Sequence, residues 1–215
     1  MIDYFLTEYI SISLQSGSFD GWVTRPALEG TLSIHNVGAD GSSSSILHSD
    51  RDSLNKGPGQ FLDTNCFVAG EYYEINAKIM ILDEDGNFTT CDKTAGWNDE
   101  DFCPLFSIWG RDEKEHGWGD FWLDVPNNDT SDWVEGEFNT YTAIFKLNDE
   151  IMTAIEASFM FRGLRIGAQI LVDSVSFTPY NHVPDYVPPG WGEEAYDFFV
   201  SSSTFDVSPY SQPTW

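Results

Sequence analysis

Apolar and polar residues alternate along several short stretches of the chain, as they do in half-buried β-strands. The clearest example is residues 72–82, where every second residue from Tyr73 to Ile81 is apolar. Successive side chains of a strand point to opposite faces, so these positions are expected to face a core. The same pattern predicts ten strands, at residues 4–14, 31–37, 44–48, 59–63, 71–82, 104–109, 117–124, 136–147, 156–162 and 169–178.

Clusters of turn-forming residues separate the predicted strands. They occur at residues 38–41, 56–59, 83–87 and 126–129, and each combines Gly, Pro, Asp or Asn. Residues 147–159 could contain one short helix, although the second half of this segment alternates as a strand would. Many short strands joined by turns predict an antiparallel β-sandwich or barrel.

Strand alternation divides the aromatic residues between a core face and an opposite face. The core set is Phe106, Ile108, Phe121, Leu123, Val125, Phe159 and Phe161, and Trp22 and Trp133 are interpreted as structural. The opposite positions carry Trp109, Trp118, Trp122, Asn76, Asp120 and Arg162. Exposed aromatic rings mixed with polar groups favour a ligand surface. The alternative is that these tryptophans cover a second apolar layer beneath the aromatic C-terminal segment.

The segment QILVDSVSF, residues 169–177, contains a carboxylate in an apolar strand. Simple alternation puts Asp173 on one face with Leu171, Val175 and Phe177. A buried charge without a partner is costly, so a cation, an arginine or backbone amides should compensate it.

The acidic composition narrows the possible partners. The 215 residues include 10 Lys and Arg against 35 Asp and Glu, a formal net charge of −25. Nucleic acids and anionic membrane surfaces should be repelled. No run of 18 apolar residues occurs, so membrane insertion is not expected. Basic partners for acidic side chains are scarce, which leaves a metal cation as a candidate partner for Asp173.

The composition changes after Phe177. Residues 178–194 are rich in Pro and Gly, so we expect a sandwich domain over 1–178 and a linker or wrap over 179–215. The C-terminal segment could also begin a second repeat, because residues 202–206 (SSTFD) echo residues 16–20 (SGSFD).

Three cysteines occur in the chain. Cys91 and Cys103 flank a turn-like stretch and are predicted to form a disulfide, which leaves Cys66 as a buried thiol. The N-terminal residues lack the basic and apolar regions of a signal peptide. Two glycosylation sequons, at Asn87 and Asn128, favour a secreted protein.

Four motifs, in order over residues 10–178, resemble those of carbohydrate-binding modules of the family 4, 9 and 22 type. They are Gly17–Trp22, the pair of segments Gly59–Asp63 and Gly70–Lys78, Asp132–Phe138, and Leu171–Ser176. The sequence departs from the family where Asp20 replaces a glutamate and Ser174 replaces a second aspartate. An insert around residues 91–104 is not typical of the bacterial modules.

The resemblance implies a jelly-roll β-sandwich that binds polysaccharide without catalysis. It also implies a structural Ca²⁺, with Asp20, the loop around Asp40 to Ser42, and Asp173 at the ligand positions. Calcium suits such a site because it takes six to eight oxygen ligands in loose geometry.

We therefore predict a secreted or cell-surface protein that binds a neutral, β-glucan-like glycan through Trp109, Trp118 and Trp122, with Asn76, Asp120 and Arg162 as hydroxyl partners. The alternative is an extracellular structural or adhesive subunit that self-associates or occurs in tandem copies. An enzyme is disfavoured because glycanase, metal-protease, nucleophile-elbow and P-loop signatures are absent from the sequence.

Overall fold

The computed structural model describes residues 10–12, 21–25, 30–41, 44–97, 101–114, 117–129 and 131–180. At residues 10–12, 25, 113–114 and 117–119 it describes the backbone only. The elements in chain order are β1 (Ile10–Ile12), β2 (Val23–Arg25), β3 (Thr31–His35), β4 (Ser45–Ser49), β5 (Gly57–Phe61), β6 (Tyr72–Leu82), β7 (Phe88–Thr89), β8 (Leu105–Lys114), β9 (Gly117–Val125), β10 (Asn139–Lys146), α1 (Asp149–Thr153), β11 (Glu156–Arg162) and β12 (Gln169–Pro179).

The strands form two antiparallel sheets that pack as a sandwich. The seven-stranded sheet has the order β10-β6-β12-β4-β3, with β1 paired to β12 and β7 paired to β6. The five-stranded sheet has the order β2-β5-β11-β8-β9. This arrangement confirms the predicted all-β jelly-roll fold.

Each of the ten predicted strand segments overlaps an observed strand, and β2 and β7 were not predicted. The ambiguous segment 147–159 resolves into α1 followed by the start of β11. The Asn148 side chain begins the helix by accepting a hydrogen bond of 2.9 Å from the Ile151 amide. Among the described residues no helix has the length and apolar character needed to cross a membrane.

Inward-facing residues of both sheets form one core, as alternation predicts. Tyr73, Ile75, Ala77, Ile79 and Ile81 line it from β6, and Phe106, Ile108, Phe159 and Phe161 line it from β8 and β11. Phe121 and Leu123 are half-buried against it, and Val125 is fully part of it. Trp22 and Trp133 are buried in the same cluster, which confirms their structural interpretation.

A tyrosine hydroxyl joins the two sheets inside this core. Tyr141, on β10, accepts a hydrogen bond of 2.8 Å from the Phe106 amide and donates one to the Val125 carbonyl. Burial raises the pKa of Tyr141 well above its ordinary value, which keeps the phenol protonated and able to donate. The bonds satisfy backbone groups near the ends of β8 and β9.

A β-bulge changes the side-chain alternation of β12. Asp173 lies opposite Lys78 and Ser176 lies opposite Asn76, so β12 has one extra residue between these pairs. Ser174 takes a left-handed conformation there, with φ of 55°. The prediction that Asp173 shares a face with Val175 and Phe177 is therefore wrong. Those two residues point into the core, whereas Asp173 and Leu171 lie on the outer face of the seven-stranded sheet.

The predicted disulfide is present, with Cys91 bonded to Cys103. Cys66 lies outside this disulfide, but it is exposed and not buried as predicted. The exposure has a local cause, because Cys66 ends a short 3-10 turn on the surface after β5. The predicted linker or wrap lies almost wholly outside the described residues, so the domain division at residue 178 stays a prediction.

Candidate functional site

A row of four residues crosses the outer face of the five-stranded sheet. Phe61, Ser158, Trp109 and Trp122 are register neighbours on β5, β11, β8 and β9, respectively. The ends of this aromatic row are open to solvent, with Phe61 59% exposed and Trp122 37% exposed. Its centre is closed, because Ser158 and Trp109 are buried. The row thus presents two exposed aromatic rings, Phe61 and Trp122, with the buried residues Ser158 and Trp109 between them.

Charged pairs lie on both sides of the aromatic row. On one side Arg111 Nε donates a hydrogen bond of 2.9 Å to Asp120 Oδ1, and both side chains are partly exposed. On the other side Arg162 and Asp124 form a second ion pair. The face therefore combines aromatic rings with oriented hydrogen-bond donors and acceptors.

The Arg162 guanidinium is held by every one of its nitrogen atoms. Nε donates to Ser107 Oγ at 2.8 Å, and Nη1 donates to Asn55 Oδ1 at 2.6 Å. Nη2 contacts both carboxylate oxygens of Asp124, at 2.7 and 2.6 Å. Such charge-assisted bonds fix the guanidinium plane, so its position does not depend on a ligand.

Aromatic rings stack on both arginines of the face. Arg162 Cζ lies 4.0 Å from the ring centroid of Trp122 and 4.8 Å from that of Trp97. Arg111 Cζ lies 4.8 Å from the ring centroid of Trp109. Each contact is close enough for a cation–π interaction, worth about 0.5–2 kcal/mol. These contacts hold the indoles in place.

The structure brings Trp109, Trp122, Asp120 and Arg162 to one face, as predicted. Trp109 is only 1% exposed, so the expectation that it contacts ligand has to be corrected. It lies between Ser158 and Trp122 on β8 and forms part of the buried centre of the row. The backbone of Trp118, in β9, pairs with that of Glu113 in β8, and the Trp118 side chain is outside the described part.

Asn76 does not belong to this face. It lies on β6, in the opposite sheet, and its side chain bonds Glu74 and Thr142 there. Alternation within a strand identifies which residues share a face of that strand, but not which sheet the strand joins. The grouping of Asn76 with the tryptophans is therefore wrong.

Two aromatic residues of the site were missed. Phe61 ends β5, and the spacing of Gly57, Gly59 and Phe61 on one face of this strand could have identified it. Trp97 lies between the two bridged cysteines, in a segment without strand periodicity. No sequence pattern indicated that it would reach Arg162.

The residues predicted to bind calcium are only partly described. Asp173 is buried, and its carboxylate accepts hydrogen bonds from the amides of Ala39 (2.8 Å) and Ser174 (2.7 Å). These backbone amides stabilise the buried carboxylate, which is one of the three alternatives that the sequence analysis left open. Asp40 is exposed, with Lys78 Nζ 3.6 Å from its Oδ2.

No cluster of three metal-ligating side chains occurs within the described ranges. Asp20 and residues 42–43 lie outside those ranges, so calcium binding stays a prediction.

Comparison with known proteins supports the fold. No protein-family model and no curated protein matches the chain. Solved structures do match. One is the CBM22-1–GH10 module pair of endo-1,4-β-D-xylanase 10B from Clostridium thermocellum, complexed with xylohexaose, at 14% identity and a TM-score of 0.55, covering 79% of this chain and 28% of that one.

Two further matches come from xylanase 10C of Paenibacillus barcinonensis. Its isolated CBM22-1 xylan-binding domain is 12% identical with a TM-score of 0.55, covering 82% of this chain and 97% of that one. Its CBM22-1–CBM22-2 tandem is 15% identical with a TM-score of 0.57, covering 82% of this chain and 47% of that one. The chain has the fold of family 22 carbohydrate-binding modules. The expected jelly-roll fold is thus confirmed by structures of very low sequence identity.

Proposed function

We propose that the chain binds a neutral polysaccharide, without catalysis, on the outer face of the five-stranded sheet. The observation that carries this proposal is the aromatic row, with exposed Phe61 and Trp122 at its ends and fixed ion pairs beside it. Similar structures described as xylan-binding modules support it, because they have the same sandwich. The isolated modules among them favour binding over catalysis.

The chemistry of the face suits a sugar chain. The C–H faces of pyranose rings pack on exposed indole or phenyl rings, while Arg111 and Asp120 present a donor and an acceptor to hydroxyl groups. Each stacked ring contributes about 0.5–1.5 kcal/mol beyond the area it buries. Ordering a flexible glycan opposes this gain, so we expect modest affinity.

Neutral glycans are the expected ligands because the net charge of −25 repels anionic polysaccharides. A β-glucan-like ligand is our preferred class, and xylan is its direct competitor because matching structures are described as xylan-binding. Such ligands are extracellular, so the proposal includes secretion or a cell-surface location. Tandem copies of the module are also compatible, as one matching structure contains two modules.

Isothermal titration calorimetry with xylohexaose and cellohexaose tests the proposal. Trp122→Ala should weaken binding about tenfold, because it removes the exposed indole of the row. Phe88→Ala is the matched control, since Phe88 is a similarly exposed aromatic residue on the seven-stranded sheet. Trp118→Ala should also weaken binding with an unchanged melting temperature if Trp118 contacts ligand.

The self-associating subunit is the competing outcome. It would give no heat with either sugar, together with a concentration-dependent size in chromatography. Release of reducing ends from xylan or β-glucan would contradict the non-catalytic part of the proposal. Equal binding by wild type, Trp122→Ala and Phe88→Ala would show that the glycan does not bind to this face.

A further inference from the structure

We infer that Trp97, held by the Cys91–Cys103 disulfide, extends the proposed glycan face and determines the length of chain it prefers. This inference rests on the proposed function. It concerns the segment around residues 91–104, which is not typical of the bacterial modules that the sequence resembles. Three observations on described residues carry it.

The first observation is that Trp97 is attached to the face. Its ring centroid lies 4.8 Å from Arg162 Cζ, and Arg162 also stacks on Trp122 at 4.0 Å. One immobilised guanidinium therefore links an indole of the sheet to an indole of the disulfide-closed segment. Both indoles are 37% exposed, so each retains a surface that a sugar ring can cover.

The second observation is that the segment is held at its base. The disulfide joins Cys91 to Cys103, the Asp92 amide donates to the Asp101 carbonyl at 2.7 Å, and Asp92 forms a β-bridge with Phe102. These contacts fix both ends of the stretch that carries Trp97. A ring fixed in advance loses little conformational freedom when a ligand binds.

The third observation is a close approach that only glycine permits. Gly163 follows Arg162 and has φ of 99°, and a Cβ there would lie 2.7 Å from Phe102 and 3.2 Å from Trp97. Phe102 in turn packs edge-to-face on Trp97, with ring centroids 5.4 Å apart. The sequence at the end of β11 thus leaves room for this aromatic pair beside Arg162.

Together these contacts make Trp97 an added aromatic surface beside the end of β11. The two ring centroids lie at most 8.8 Å apart, the sum of their distances of 4.0 and 4.8 Å from Arg162 Cζ. A single sugar unit can cover Trp122 without reaching Trp97, whereas an oligosaccharide can cover both rings. Trp97 should therefore act as a specificity-determining residue for chain length.

Calorimetry with matched sugars tests this inference. We expect Trp97→Ala to bind xylohexaose or cellohexaose about fivefold to tenfold more weakly, and the corresponding monosaccharide within about twofold of wild type. Trp97→Phe should restore part of the lost affinity. Trp122→Ala should weaken both lengths, and the double variant Cys91→Ser/Cys103→Ser should reproduce the length-dependent loss.

Each outcome separates the two proposals. If wild type binds neither xylohexaose nor cellohexaose, the proposed function fails. If wild type binds and Trp97→Ala binds both lengths equally well, the proposed function stands and the role of Trp97 is refuted. A lower melting temperature of Trp97→Ala without any length-dependent change in affinity would make Trp97 only a structural cover for Arg162.

Discussion

His48 should make the stability of the protein fall as the pH is lowered from neutral. It lies on β4 and is fully buried. Its pKa is lowered from 6.5 to about 4, chiefly by burial and also by the positive charge of Arg51, while Asp50 opposes the change. Arg51 is fixed nearby, because its guanidinium donates to backbone carbonyls that include those of Lys56 and Leu164.

The sign and size of the effect follow from this pKa. Since the folded-state pKa lies below the unfolded value, the unfolded chain binds the proton more readily between pH 6.5 and pH 4. The contribution of His48 is fully present above pH 6.5 and disappears as the pH falls toward 4. The difference corresponds to about 3 kcal/mol, of which about 2 kcal/mol is lost by pH 5.

Urea denaturation followed by tryptophan fluorescence, at pH 7.5, 6, 5 and 4.5, measures this dependence. The informative quantity is the slope of unfolding free energy against pH, because His48→Gln also changes packing. His48→Gln should lose about 2 kcal/mol less than wild type between pH 7.5 and 5. Parallel pH dependences for wild type and His48→Gln would refute the reasoning.

Arg162→Lys should reduce the free energy of unfolding by about 2 kcal/mol in urea denaturation, because lysine keeps the charge but loses the planar fork and both indole contacts; a loss below 0.5 kcal/mol would contradict that assignment. Tyr141→Phe should cost about 1–3 kcal/mol in the same assay, because the buried Phe106 amide loses its partner, and equal stability would show that the bridge between sheets is unimportant. If calcium binds at Asp173, excess chelator should lower the melting temperature of wild type by mass action and leave Asp173→Ala unchanged. An unchanged wild-type melting curve would exclude the structural calcium.

The regular strands could be predicted because their alternation reports burial directly. In β6 every second side chain contacts the core, so the pattern and the structure agree from Tyr73 to Ile81. β2 has only three residues, too few to show a period. Its place at the edge of the five-stranded sheet depends on pairing with β5, which local sequence does not reveal.

The misplaced residues share a cause, which is that they depend on contacts distant in sequence. Asp173 changes face because of a bulge at Ser174, and β-alternation contains no sign of one extra residue. Asn76 has the expected direction on its strand but is in the other sheet. Trp97 lies 65 positions before Arg162, within a segment that has no period at all.

The position of β12 has a consequence for protein synthesis. It is the last strand among the described residues, yet it lies in the middle of the seven-stranded sheet, between β6 and β4. Ribosomes add about 5–20 residues per second, so roughly 5–20 s separate the synthesis of Leu82 from that of Pro179. During this interval the edges of β6 and β4 that β12 will occupy remain open to other chains. The nascent polypeptide therefore needs protection from premature strand pairing until β12 has been synthesised.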